Sequence, residues 1–279
     1  MDLSNENILH VKKEEIEYLQ FRKLLEYKDI INHAYSIGIN RNYRTAKANK
    51  QKLDLEIYQK AIKDYDDLTK TIGSKLENLV KSNQEHTDEV KIVREKINSK
   101  EPDCNLGEYR ETDGFITNQR NIMLATTNAD CILLLFFDPV KKVIANVHSG
   151  WRGTLQRISV KTIEKMKKEF GCSPEDIICC ICPSIRQCHF EVEKEVKEQF
   201  EKEFNDIENI KKIIKETIPE QKWNIDTVEI NKILLEKEGL KKENIIDSKI
   251  CSVCNSDLIH SYRVEKQEYG LNTAVIELK

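Results

Sequence analysis

The chain has 279 residues, of which 39 % are hydrophobic and 33 % charged, with a formal net charge of -3. That length suits one large domain or two small ones, and the near-balance of charge excludes the basic face that a nucleic-acid binder needs. The opening "MDLSNENILH" lacks the basic start and apolar run of a secretory signal, and the longest apolar run, "CILLLFF", is far too short to span a bilayer. Nine cysteines, an odd number in a long chain without an export signal, point to a reducing cytoplasm rather than a disulfide scaffold.

In chain order, residues 8–21 and 29–37 hold short mixed segments with strand character. A polar loop, "INRNYRTAKANKQK", follows. From Leu55 to Ile72, apolar residues recur every three or four positions, which predicts an amphipathic helix stopped at Gly73. "LVKSN" and "VKIV" read as two strands joined by a polar turn carrying His86. "GFIT", "IMLAT", "CILLLFF" and "KVIANVH" then form the strand-rich centre. "CILLLFF" has no polar alternation, so both of its faces should be covered.

Thr154 is placed to cap a helix whose apolar stripe is Leu155, Ile158, Ile163, Met166 and Phe170, ending at Gly171. "DIICCI" reads as a buried strand. Val192, Val196, Phe200 and Phe204 have helical spacing, and the Lys/Glu-rich stretch from Glu193 to Lys215 reads as surface helix. Asp226 caps a further helix ending at Gly239, and "NIIDSKI" and "NTAVIEL" are closing strands. Interleaved strands and helices without a linker predict one α/β domain over residues 1–279. Several gaps are too short for helical crossovers, so the strands should be mixed in direction.

Three residues at predicted strand edges carry chemistry: His86, Cys131 and His148. Two imidazoles and a thiolate suit zinc with a fourth position left open. The same residues also suit a thiolate nucleophile with its bases, and position alone does not decide. Asp130, beside Cys131, can orient a ligand or hold a partner arginine. Arg152, between Gly150 and Gly153, offers a planar fork for phosphate or carboxylate, and Arg263 in "SYR" a second one. Trp151 reads equally as a core plug. His33 has no ligand partner nearby and reads as structural. Cys251 and Cys254 form an isolated C-x-x-C, a weak zinc signal without a second pair. Cys251 therefore serves as a structural control position. Cys104, Cys172 and Cys188 carry no assigned role.

"QEHTDEV", "ETDGFIT", "TTNADCILLLFFDP", "ANVHSGWRGT", "CPSIRQCHFEV" and "IHSYR" occur in this order. From about Ser82 through Arg263 the chain thereby resembles the bacterial multicopper polyphenol oxidase, or laccase-domain, family, also described as purine nucleoside phosphorylases. The resemblance implies a single α/β domain with layered central β-sheets covered by helices. It implies zinc held by His86, Cys131 and His148, and a pocket wall near Cys188. It also implies phosphorolysis of adenosine, inosine, guanosine and methylthioadenosine with phosphate, plus adenosine deamination. Arg152 and Arg263 are then contacts to phosphate or ribose, and Asp130 supports the ligands.

This chain departs from the family pattern at Cys182, where glycine is usual, and at Val264 and Leu271, where arginines are usual. Two other readings remain. One is copper-dependent oxidation of phenols, which the donor set permits but which six histidines in all can hardly serve as a multicopper cluster. The other is a binding or regulatory module with a vestigial site. No nucleic acid or membrane partner is expected, and the chain should be a monomer or small homo-oligomer.

Overall fold

A computed structural model describes residues 1–45, 55–81, 83–95, 111–208 and 210–279. Part of the polar loop after Gly38, and Cys104, lie outside these residues. The first of three sheets orders its strands β1 (Ile8–Lys13), β2 (Ile16–Phe21), β3 (Ile31–Ile37), β15 (Asn272–Leu278), β7 (Met123–Asn128) and β4 (Leu79–Lys81). The second runs β14 (Ile245–Asp247), β10 (Ile178–Ile181), β8 (Ile132–Asp138), β9 (Val143–Ser149), β6 (Gly114–Thr117) and β5 (Val90–Ile92). A small third sheet is β11 (Glu191–Glu193), β13 (Lys222–Ile225) and β12 (Ile214–Ile218). Pairing is mostly antiparallel, with parallel pairs at β10–β14, β4–β7 and β5–β6, so the sheets are mixed as expected.

The two large sheets pack face to face. Leu19, Tyr35, Leu124 and Ile276 of the first meet Leu133, Leu135 and Phe137 of the second in one core. On its other face, β8 turns Ile132, Leu134 and Phe136 toward Ile158, Ile163 and Met166 of the helix Ile158–Phe170 and toward Leu235 of the helix Thr227–Lys237. That two-sided burial is why "CILLLFF" lacks alternation. Each such side chain removed from water contributes roughly 1.5–3 kcal/mol. The outer face of the first sheet is covered by the helix Leu55–Thr71 through Tyr65 and Leu68. The layers are thus helix, sheet, sheet, helix, the architecture expected from the sequence. No helix among the described residues is long and apolar enough to cross a membrane.

Several local expectations change. β4 and β5 are not hairpin partners: β4 pairs with β7 in the first sheet and β5 with β6 in the second, so the segment with His86 crosses between sheets. Thr154 does not cap the long helix. It sits inside a short helix, Trp151–Leu155, and its hydroxyl pairs with Ser149 and accepts from Asn231. Arg157, in left-handed conformation, precedes the long helix instead, and Leu155 packs with the third sheet's core rather than with the predicted stripe. Val192 belongs to β11, and the helix covers only Lys194–Glu203. Within the predicted surface helix up to Lys215, a four-residue helix, Ile210–Ile213, leads into β12. "NTAVIEL" forms the last strand, as expected, and lies in the interior of its sheet between β3 and β7.

Candidate metal centre and its surroundings

The trio assembles where the chain passes between the large sheets. His86 lies on the β4–β5 crossing and Cys131 ends the tight β7–β8 crossing. His148 is the penultimate residue of β9, opposite Leu133 in β8. The ligand atoms of the three all lie within 4.8 Å of one another. Cys131 Sγ is 3.8 Å from His86 Nε2, and the two imidazoles meet edge to face with centroids 4.9 Å apart. His148 is buried, Cys131 half-buried and His86 exposed, so the group opens toward solvent on the His86 side.

Asp113, which sequence reasoning did not single out, organises the trio. One carboxylate oxygen lies 2.7 Å from His148 Nδ1, leaving Nε2 to face Cys131 and His86. The carboxylate also accepts the backbone N–H groups of Glu85, His86 and Thr87 and the Thr87 hydroxyl, which fixes the crossing loop. Asp113 precedes β6, the neighbour of β9, and its carbonyl accepts the His148 N–H. His86 is held at φ +61, a left-handed conformation a histidine rarely adopts unaided. Gly150 completes the cradle: a Cβ there would come within 2.8 Å of His86 Cδ2 and 3.3 Å of Cys131 Sγ. Only a residue without a side chain lets the three donors approach.

Charge is distributed to match. Burial would push the Cys131 thiol up, but the His148 imidazole, and then His86, outweigh it and hold it down at about 6. Burial would likewise push His148 down, but Cys131 and Asp113 outweigh it and raise it to about 10. Burial raises Asp113 too, and His148 and Thr87 more than reverse this, keeping it below its ordinary value. A thiolate held beside two imidazoles, one oriented by a carboxylate, is a donor set that fits a divalent metal such as zinc.

The other expected residues stand around this group. Asp130, at φ +83, makes no hydrogen bond to the trio. It accepts Ser252 Oγ at 2.6 Å and the backbone N–H of Arg263 at 2.7 Å, so it ties two loops to the residue before Cys131. Asn128 secures the same turn by donating to the Cys131 and Pro183 carbonyls. The Arg152 guanidinium is exposed and lies 4.2 Å from the Trp151 ring centroid. Arg263 lines a surface cavity of about 400 Å³ together with Trp151, Phe190 and Val192, and its guanidinium donates to the Glu191 carbonyl. The two arginines therefore gather about Trp151, which is half-buried rather than a core plug. Val264 is exposed, and the backbone of Leu271 is held by Asn42 and Tyr43.

Cys188, His189, Cys251 and Cys254 form a second cluster that sequence spacing hid. His33, as expected, is a core residue, accepting the Phe21 N–H.

A family model described as "Multi-copper polyphenol oxidoreductase laccase" matches residues 46–279. A human protein named "Purine nucleoside phosphorylase LACC1" is 31 % identical over 216 residues, covering 76 % of this chain and 46 % of that protein. The chain thus matches about half the length of that relative. "Adenosine deaminase RL5", from an unknown prokaryotic organism, is 30 % identical over 206 residues, covering 74 % of this chain and 76 % of that one. In fold, the chain resembles the crystal structure of Bacillus licheniformis hypothetical protein YfiH, with a TM-score of 0.81 at 22 % identity, covering 99 % of this chain and all of that one. The chain belongs to the multi-copper polyphenol oxidoreductase laccase family.

Proposed function

We propose that this chain is a zinc-dependent purine nucleoside phosphorylase that also deaminates adenosine. The observation that carries the reading is the convergence of His86, Cys131 and His148, with Asp113 orienting His148. These three side chains would hold the metal, and bound zinc would supply Lewis acidity and a water of lowered pKa. Asp113 keeps the His148 ring in one orientation and holds the loop that presents His86. Arg152 and Arg263 supply planar donor forks for phosphate or ribose beside the cavity, and Trp151 and Phe190 give that cavity aromatic walls suited to a purine. Adenosine, inosine, guanosine and methylthioadenosine are the proposed nucleosides; the relatives' names support purine nucleosides as the class and adenosine as a member.

Residues 1–279 act as one unit in this reading, as a monomer or small homo-oligomer. All eight described cysteines are free thiols, which fits a cytoplasmic location. The six histidines weigh against a multicopper oxidase. His10 is engaged with Glu17, His33 with Phe21 and His260 with Glu265, and His189 lies in a separate cluster with three cysteines, so only His86 and His148 meet at the trio.

Incubation of the zinc-loaded protein with adenosine and inorganic phosphate should yield adenine and ribose 1-phosphate, with some inosine. Omission of phosphate should stop adenine release and leave inosine formation. Cys131→Ser should abolish both, and Arg152→Lys and Arg263→Lys should raise the apparent KM for phosphate. Adenine release without phosphate would make the chain a hydrolase. Copper-dependent turnover of a phenol exceeding nucleoside turnover would make it an oxidase, and inactivity in all assays with zinc bound would leave a binding module.

A further inference from the structure

We propose that Cys188, His189, Cys251 and Cys254 form a second, structural zinc centre, separate from the trio. The four donor atoms all lie within 4.8 Å of one another. Cys188 Sγ is 3.6 Å from Cys251 Sγ and 4.0 Å from Cys254 Sγ. His189 Nδ1 is 3.1, 3.7 and 3.6 Å from the sulfurs of Cys188, Cys251 and Cys254. A tetrahedral zinc with bonds of about 2.3 Å to sulfur and about 2.0 Å to nitrogen sets edges of about 3.8 Å between sulfurs and about 3.5 Å from nitrogen to sulfur. The measured edges scatter around these values. A disulfide needs sulfurs about 2 Å apart and would use only two of the three thiols, leaving the third and the imidazole without purpose.

The two halves of this centre come from segments about sixty residues apart in sequence, joined by the fold before any metal enters. Ser184 and Cys251 form a bridge, with the Ser252 N–H donating to the Ser184 carbonyl and the Ser184 N–H to the Ile250 carbonyl. Arg186 clamps Asp247 through two bonds of 2.7 and 2.6 Å. Asn255 donates to the Cys251 carbonyl. Four protein donors close the coordination sphere, so no position is left for water or substrate, which is the pattern of a structural rather than a catalytic site. Binding releases the thiol protons to solvent, and His189 ligates as neutral imidazole through Nδ1, keeping its proton on Nε2. Ser252, between Cys251 and Cys254, is the residue whose hydroxyl reaches Asp130. The centre thereby fixes the loop that holds the turn before Cys131.

Elemental analysis and native mass spectrometry of the full chain, purified under reductant with zinc present, should find two zinc ions. Cys188→Ser and Cys254→Ser should each bring the count to one, Cys131→Ser should also leave one, and Cys131→Ser/Cys254→Ser none. Cobalt loaded into Cys131→Ser should show the d–d bands of a tetrahedral site with thiolate charge transfer, absent from the double variant. Should the cluster variants fail to fold, mercurial titration of the wild-type thiols, read with a zinc indicator, should release two ions per chain. A single ion in the wild type, lost entirely in Cys131→Ser, would overturn the proposal. So would undiminished zinc in folded Cys188→Ser and Cys254→Ser, or a disulfide within the cluster in the reduced preparation. Because the readout is metal content, its outcome is independent of whether the trio turns over nucleosides.

Discussion

Asp113 carries several jobs at once: it accepts three backbone N–H groups, a hydroxyl and the His148 ring. Asp113→Asn replaces an acceptor-only group with one that presents an N–H to those donors. Zinc affinity at the trio should then fall by about 10–100-fold, the usual cost of losing a carboxylate behind a histidine ligand. Competition with a calibrated chelator measures this, and unchanged affinity would remove Asp113 from the site. The trio itself was visible in the sequence because each member stands at a strand edge and in a quoted motif. Asp113 was inside "ETDGFIT", yet nothing local marked it, because its partners lie 26 to 35 residues away. The C-x-x-C at Cys251 looked isolated for the same reason: its counterpart is not another pair nearby but Cys188 and His189, 63 and 62 residues earlier. Cys251 is therefore no neutral control position.

Strand β3 makes the fold sensitive to acid through His33. Its Nε2 accepts the Phe21 N–H at 2.8 Å, and burial drives its pKa down to about 3. The unfolded chain binds that proton near pH 6.5 and the folded chain does not. The stability contributed by neutral His33 is therefore whole above about pH 6.5 and is lost as pH falls toward 3, at about 1.4 kcal/mol per pH unit. Urea midpoints between pH 7 and 5 should drop more steeply for the wild type than for His33→Gln, and equal slopes would refute the assignment. At this scale, long periodic elements were legible: the helix at Leu55–Thr71 and the centre from Gly114 to Ser149 match their patterns. The β12–β13 hairpin was not, because β12 buries only Ile214 and its other residues are exposed, so no apolar alternation signals a strand. The helix expected to begin at Thr154 is split in two, since Arg157 adopts a left-handed turn that interrupts it.

Across the whole molecule, the two large sheets are joined by a polar contact inside an apolar core. Asn146 of β9 accepts the Thr126 hydroxyl and donates to the carbonyls of Leu124 and Ala274 in the facing sheet. Asn146→Ala should leave those groups buried without partners and cost about 1–3 kcal/mol, seen as a lower urea midpoint with an unchanged slope. A midpoint equal to the wild type would show that the contact is dispensable. The layered plan was readable because unalternating "CILLLFF" demands cover on both faces. The order of strands was not, because register between distant segments leaves no local trace. That order has a consequence for synthesis on the ribosome. β15 lies between β3 and β7, pairing with both, although it follows them in the chain. While translation proceeds, β3 and β7 each present an unpaired edge, open to intermolecular pairing. The nascent chain thus carries two aggregation-prone half-sheets until β15 threads between them, a late and non-local closure that makes chaperone protection most valuable in that interval.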